Sequence, residues 1–262
     1  MIPRSAQLIS AAAFVLTASS AIAHDVWLTV DKNAGGLNAQ INNGDTDRRE
    51  LPDRNRVVAL DLVSGAGDVD LRKPLTMGQR YGQPVLETTS FTASRGALLS
   101  ITYDNGYWID SPKDKSEINS TRLMVPGGTS QHWTVKYGKL LLGPGAYSSV
   151  VHTRLELIAL KDPFTLGRGQ NLPVRLVLNG KPVSGVKIAY GDGVTPIPDE
   201  KMPFATTGSD GVAEIPLARK GAYLLTTDYQ APPLRSDLAE YDHLYASLTF
   251  DISKQAVLAS GR

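Results

Sequence analysis

From Leu172 to Gly180 the chain alternates apolar side chains at Leu172, Val174, Leu176 and Leu178, then turns at Asn179-Gly180. Period-two alternation lays those four side chains on one face of a strand, and Asn-Gly supplies the positive φ angles that a two-residue hairpin turn demands. The same grammar recurs downstream. Val186 to Tyr190, Val212 to Leu217, Ala222 to Tyr229 and Leu244 to Ile252 are short apolar runs, broken by turns at Gly208-Ser209-Asp210-Gly211 and Arg219-Lys220-Gly221. With 24 Gly, 16 Pro and few long helical patterns, the chain reads as all-β. Short strands at this spacing predict immunoglobulin-like β-sandwich folding.

Upstream, Val26 to Val30 predicts a first strand, followed by a turn at Asn33 to Gly36, and Arg56 to Val63 predicts an apolar strand. Between them Asn42 to Glu50 carries three carboxylates without the spacing of a calcium loop, so a solvated loop is expected there. Pro84 to Ala93 and Ala97 to Tyr103 read as a strand pair joined at Arg95-Gly96, with the next turn at Asn105-Gly106. Thr129-Ser130 followed by Trp133, Tyr137, Leu140 and Leu141 matches a helix behind an N-cap hydroxyl, although Gly138 weakens the match; His132 falls beside that apolar stripe. Tyr147 to Leu160 reads as one long strand with His152 in its polar phase. The pattern restarts at Asp162-Pro163. The expected organisation is therefore two immunoglobulin-like sandwiches, residues 24–161 with one short helix and residues 162–262, behind a segment 1–23.

That segment has the parts of a cleavable secretory signal: Arg4, an apolar run from Leu8 to Leu16, and Ala21-Ile22-Ala23 before the cut. The apolar run is too short to span a bilayer, so no membrane span is expected after processing and the periplasm is the expected location. Cleavage would make His24 the first residue, its α-amine and imidazole able to close a chelate ring on one metal ion. Loss of Arg4 would balance the 27 basic against the 26 acidic side chains, which gives no basic face for nucleic acid. The absence of Cys excludes thiolate metal sites, thiol catalysis and a lipoprotein anchor. Any metal must be held by His, carboxylate, Met or backbone.

Three groups of residues carry a resemblance. Gly180-Lys181-Pro182-Val183-Ser184-Gly185-Val186, Thr207-Gly208-Ser209-Asp210-Gly211 and Ile215 to Tyr223 resemble the sandwich modules of the carboxypeptidase-regulatory-like type. Together with His24-Asp25-Val26-Trp27-Leu28, the junction Leu155-Glu156-Leu157 to Asp162-Pro163-Phe164, and the ending Tyr245 to Phe250, the chain looks like a bacterial periplasmic family of unknown function. Its members are commonly described as periplasmic components of nickel or cobalt uptake. The family's opening His-Asp-x-Trp-Leu maps onto His24, Asp25, Trp27 and Leu28.

No hydrolase elbow, zinc-protease helix, phosphate loop or dinucleotide fingerprint is present, and no enzyme activity is expected. The adjacent Asp242 and His243 would point to opposite faces of a strand. The reading taken forward is a transition-metal-binding protein (nickel, cobalt or copper) acting in metal uptake or handling through His24, with a membrane metal transporter as a possible partner. An amine with imidazoles suits all three ions by donor type. For the second imidazole His152 is preferred, on the expectation that the first strand pairs in parallel with the last; His132 comes second, and Asp25 would join only if the terminus bends. His243 would have to reach across the domain interface. Two other readings stand beside it: a non-catalytic scaffold or interaction protein, and a copper oxygenase of the histidine-brace kind.

Overall fold

The structure, a computed structural model, describes residues 25–198 and 201–253. His24 and residues 1–23, where the sequence predicts a secretory signal, lie outside the described residues. The fold is all-β and sandwich-like, built around one nine-stranded sheet. Five of its strands come from the first part of the chain: β4 (Val57–Val63), β5 (Val69–Asp70), β8 (Leu98–Asp110), β9 (Glu117–Asn119) and β10 (Thr129–Leu141). Four come from the last part: β14 (Lys187–Gly191), β15 (Phe204–Thr206), β17 (Ala222–Ala231) and β18 (Tyr241–Asp251). They join where β10 and β18 pair in parallel, His132 opposite Tyr241, Thr134 opposite His243 and Lys136 opposite Tyr245.

One face of this sheet is covered by β1 (Asp25–Asn33), β2 (Gly36–Gly44), β3 (Arg49–Glu50), β6 (Leu75–Arg80) and β7 (Gln83–Thr88), which form a five-stranded sheet. Val26, Leu28, Leu37 and Ile41 pack there against Leu60, Leu99, Ile101 and Leu140. The other face is covered by β11 (Leu155–Ala159), β12 (Asn171–Leu178), β13 (Lys181–Pro182) and β16 (Val212–Pro216). On that side Leu155, Leu157, Leu172 and Leu176 meet Val135, Tyr137, Leu244, Leu248 and Phe250. Each such large side chain taken from water contributes about 1.5–3 kcal/mol. The alternation from Leu172 to Leu178 and the Asn179-Gly180 turn appear as expected, with φ of 50° and 76° at the two turn residues.

Four sequence expectations are corrected. Thr129 to Leu141 is a 13-residue strand and no helix. Trp133, Tyr137 and Leu141 recur every four residues, a spacing that also keeps side chains on one face of a strand; β10 is covered on both faces, so its other phase carries buried residues too. Second, Asn42, Asn43 and Gly44 end β2 and are not a solvated loop. Asn42 is fully buried, donating to the Trp27 carbonyl and to Thr29 Oγ1 and accepting from Arg49. Third, Arg95-Gly96 connects two different sheets, and Asn105-Gly106 is a β-bulge inside β8, where the register with β10 slips. Fourth, β1 pairs antiparallel with β2 and not with the last strand, and the long strand expected from Tyr147 shrinks to β11.

Gly138 explains itself in this arrangement. A Cβ there would lie 2.9 Å from Ile101 Cγ2, 3.0 Å from Ser247 Oγ and 3.3 Å from the Val26 carbonyl oxygen. Its missing side chain lets β1 sit down on β10 and β18, where Ser247 and Thr249 hydroxyls donate to the Val26 and Leu28 carbonyls at 2.7 and 2.8 Å.

Candidate functional site

Two polar stripes lie side by side because β10 and β18 are in parallel register: His132, Thr134 and Lys136 on one strand, His243 and Tyr245 on the other. Strand alternation turns the apolar partners of both stripes to the opposite face. Where the five-stranded cover stops short, this polar surface floors a cleft of about 510 Å³. Its walls include Asn43 and Glu50 from the cover, Tyr103 and Trp108 from β8, and Glu117 from the short edge strand β9.

His132 is aimed by a distortion. The β8–β10 register slips between Thr129 and His132, and Ser130 adopts a left-handed φ of 55°. Such a conformation costs a non-glycine residue of order 1–3 kcal/mol and persists where the surroundings impose it. Here it turns the Ser130 carbonyl toward the imidazole, 2.8 Å from Nδ1. A carbonyl only accepts, so Nδ1 carries the proton. Burial lowers the pKa of His132, outweighing the Ser130 carbonyl and the Glu117 carboxylate, which raise it. The ring is thus neutral near pH 7, with the lone pair on Nε2, and Tyr241 stacks on it at 5.1 Å and 12°. Glu117 Oε1 lies 3.5 Å from Nε2.

His243 sits 5.8 Å from His132, centroid to centroid, but is tied differently. Its Nε2 is 2.8 Å from Asp228 Oδ2, and the Tyr245 hydroxyl is 3.1 Å from its Nδ1. Burial holds the Tyr245 pKa far above the ordinary phenol range, so that hydroxyl stays protonated and donates to Nδ1 while Nε2–H donates to Asp228. Both nitrogens of His243 are engaged. Asp242 points the other way, to Arg154, as strand alternation requires.

Lys136 is almost fully buried beneath the cleft. Its ammonium donates to Asn43 Oδ1 at 3.1 Å and lies 5.7 Å from the Tyr103 ring centroid. Burial lowers its pKa to about 8, against the opposing pull of Asp25 and Glu50. Among the lining charges Glu50, Asp53 and Glu117 stand against Lys136 and Arg56, with Asp53 3.9 Å from Arg56.

The candidates from sequence therefore separate. Asp25 opens β1 opposite Gly44, and its charge is felt at both Lys136 and Tyr245, which places it beside the cleft. His132 lines the cleft. His152 does not: it lies in an exposed loop with φ of 60°, whose neighbours Ser149 and Val151 bond Lys139 and Glu156 over the opposite face of the sheet. Among the described residues, no three His, Asp or Glu side chains are already gathered as a metal cage. Sequence reasoning set His243 aside and overlooked Glu117, Lys136, Asn43 and Tyr245. The polar stripes at alternate positions were a visible signal; their adjacency was not.

Fold and cleft together define a layered β-sandwich protein with a polar recess between its central sheet and one cover. The family described as Domain of unknown function (DUF4198) matches residues 16–231, and the chain belongs to it. Compared with curated proteins, the sequence finds no match.

Proposed function

We propose that the processed protein is exported and binds a transition-metal ion (nickel, cobalt or copper) in this cleft, with His24 as its first residue supplying amine and imidazole nitrogens. The observation that carries the reading is the position of β1. Its Val26 and Leu28 carbonyls accept from Ser247 and Thr249, so β1 runs alongside β18 in the same direction. Asp25, at the start of β1, is felt at Lys136 and Tyr245, which sets the described end of β1 beside the cleft. His132 would then supply a further neutral imidazole, its tautomer held by the Ser130 carbonyl in the manner of metal-ligating histidines. His152, on the far face, is not part of this reading.

The lining carboxylates Glu50, Asp53 and Glu117 are oxygen donors of the kind that can meet a cation, and the resemblance to proteins of nickel and cobalt uptake supports a role in metal handling. Release to a membrane transporter would use the exposed Leu123, Met124 and Leu234, on two loops that Arg122 joins through the Ser236 and Asp237 carbonyls. The test is an intact mass of the exported protein combined with its metal stoichiometry. One ion per chain beginning at His24, lost in His24→Ala, is expected. A mature chain beginning elsewhere, or binding unchanged in that variant, would reject the proposal.

A further inference from the structure

A separate cavity of about 80 Å³ lies further along β1, and no residue lines both it and the His132 cleft. Leu28 and Val30 of β1, Leu140 of β10, Leu224 of β17 and Phe250 of β18 give it apolar walls. Trp27 supplies its polar edge. Strand alternation turns Trp27 away from the core that holds Val26 and Leu28, yet it is only 1% exposed. The Arg49 guanidinium lies 5.0 Å from its ring centroid, and the loop after β14 is drawn in beside it, held by Arg49 at the Gly193 carbonyl and by Thr46 at the Ile197 carbonyl. A buried indole N–H is a donor that ordinarily finds an acceptor. The other two tryptophans comply: Trp108 Nε1 donates to the Asn105 carbonyl at 3.1 Å and Trp133 Nε1 to Asp104 at 2.8 Å. Trp27 Nε1 has no acceptor among the described residues. Gly193, in the same lining, keeps the space beside that nitrogen open, since a Cβ there would stand 3.4 Å from Nε1. Arg80 lines the cavity too, and its buried Nε is likewise without an acceptor, although its Nη1 is bound to Gln40 and Asp31.

We propose that this cavity binds a compact neutral carbonyl compound, whose oxygen accepts from Trp27 Nε1 and whose carbon skeleton lies against Leu28, Leu140 and Phe250. Unpaired buried donors cost stability, and an oxygen acceptor recovers it. The surrounding charges select neutrality. A cation presents no acceptor and would leave both N–H groups unpaired. An anion would meet the carboxylates of Asp192 and Asp251 in the lining, while the one lining cation, Arg80, is already bridged to Asp31. Asp192 and Asp251 spend their oxygens locally, the first on Val194 and Thr195 and the second on Ser253. Size narrows the class. An apolar cavity of about 150 Å³ holds benzene, so 80 Å³ suits a molecule of about four or five heavy atoms. The proposal is independent of the metal reading.

The experiment is a nuclear magnetic resonance titration of the full-length protein, isotope-labelled at its three tryptophans. Three probes of matched shape are compared: butanone, propionate, and the branched pentene in which a methylene replaces the carbonyl oxygen of butanone. Butanone should move the Trp27 indole proton downfield, saturably, with Trp108 and Trp133 unmoved. Propionate and the pentene should bind about tenfold more weakly, because a site built around a hydrogen bond rejects ligands that cannot complete it. Ala222→Leu fills the cavity from β17 and should abolish the shift. A Trp27 signal that ignores butanone, as a resident water would make it, would overturn the proposal. Equal affinity for propionate would overturn neutrality, and equal affinity for the pentene would overturn the role of the indole N–H. A shift that survives in Ala222→Leu would overturn the location.

Discussion

Lys136→Met should stabilise the protein at neutral pH, and the gain should disappear in alkali. The wild-type ammonium is buried at 2% exposure, and its pKa falls from 10.5 to about 8. That displacement corresponds to a penalty of about 3 kcal/mol for keeping the charge in the folded state. Because the folded pKa lies below the unfolded one, the penalty is fully present below pH 8. Between about pH 8 and 10.5 the unfolded chain binds more protons, so wild-type stability rises with pH until the penalty is gone. Methionine has a similar length and no charge. It forfeits the bond to Asn43 Oδ1, worth about 1 kcal/mol, so the net gain at pH 7 is about 2 kcal/mol. Urea unfolding of wild type and variant from pH 7 to 10.5 measures the difference directly, and groups common to both chains cancel. A difference that stays constant across that range would refute the reasoning, since only a group titrating differently in the two states produces a slope. A confirmed slope would identify Lys136 as a charge retained in the cleft at the expense of stability, the expected signature of a functional residue.

Two further perturbations test the frame that holds the cleft. Lys139→Met leaves the Glu156 carboxylate buried without the ammonium that lies 2.8 Å away, a loss of about 3–5 kcal/mol that should lower the melting temperature by roughly 6–20 °C, while Lys139→Met with Glu156→Leu should recover most of it. Calorimetry that finds the single variant within 1 °C of wild type would show that the buried pair is not what joins β10 to β11. Gly138→Val brings a side chain against Ile101, Ser247 and the Val26 carbonyl, and should cost about 1–3 kcal/mol while speeding hydrogen exchange at the β1 amides that follow Asp25. Exchange raised uniformly across the sheet, with no excess in β1, would contradict the close approach as the reason for glycine there.

The all-β character, most strands and the Asn179-Gly180 hairpin were legible in the sequence, because alternation and turn chemistry are local. Two of the misreadings share one cause. A strand covered on both faces loses its polar phase, so β10, with Trp133 and Tyr137 on one face and Leu140 on the other, imitates a helix. In the same way Asn42 and Asn43 look solvated until Trp27, Thr29 and Lys136 are seen to occupy their side chains. The candidate site was half legible. His132 and Asp25 were named from the sequence, whereas His152 was preferred on a strand pairing that β1 does not make.

Composition and spacing by themselves determined that this chain folds as layered sheets without disulfides and limits any metal to nitrogen, oxygen and thioether donors. Only tertiary structure decided which of those donors meet. Pairing β10 in parallel with β18 sets residues 109 positions apart side by side, as with His132 and Tyr241, and a bulge at Ser130 selects which imidazole nitrogen faces Glu117. Local patterns fix the face on which a side chain lies. Its neighbours are set by strand register, and register depends on how two distant apolar surfaces close over one sheet.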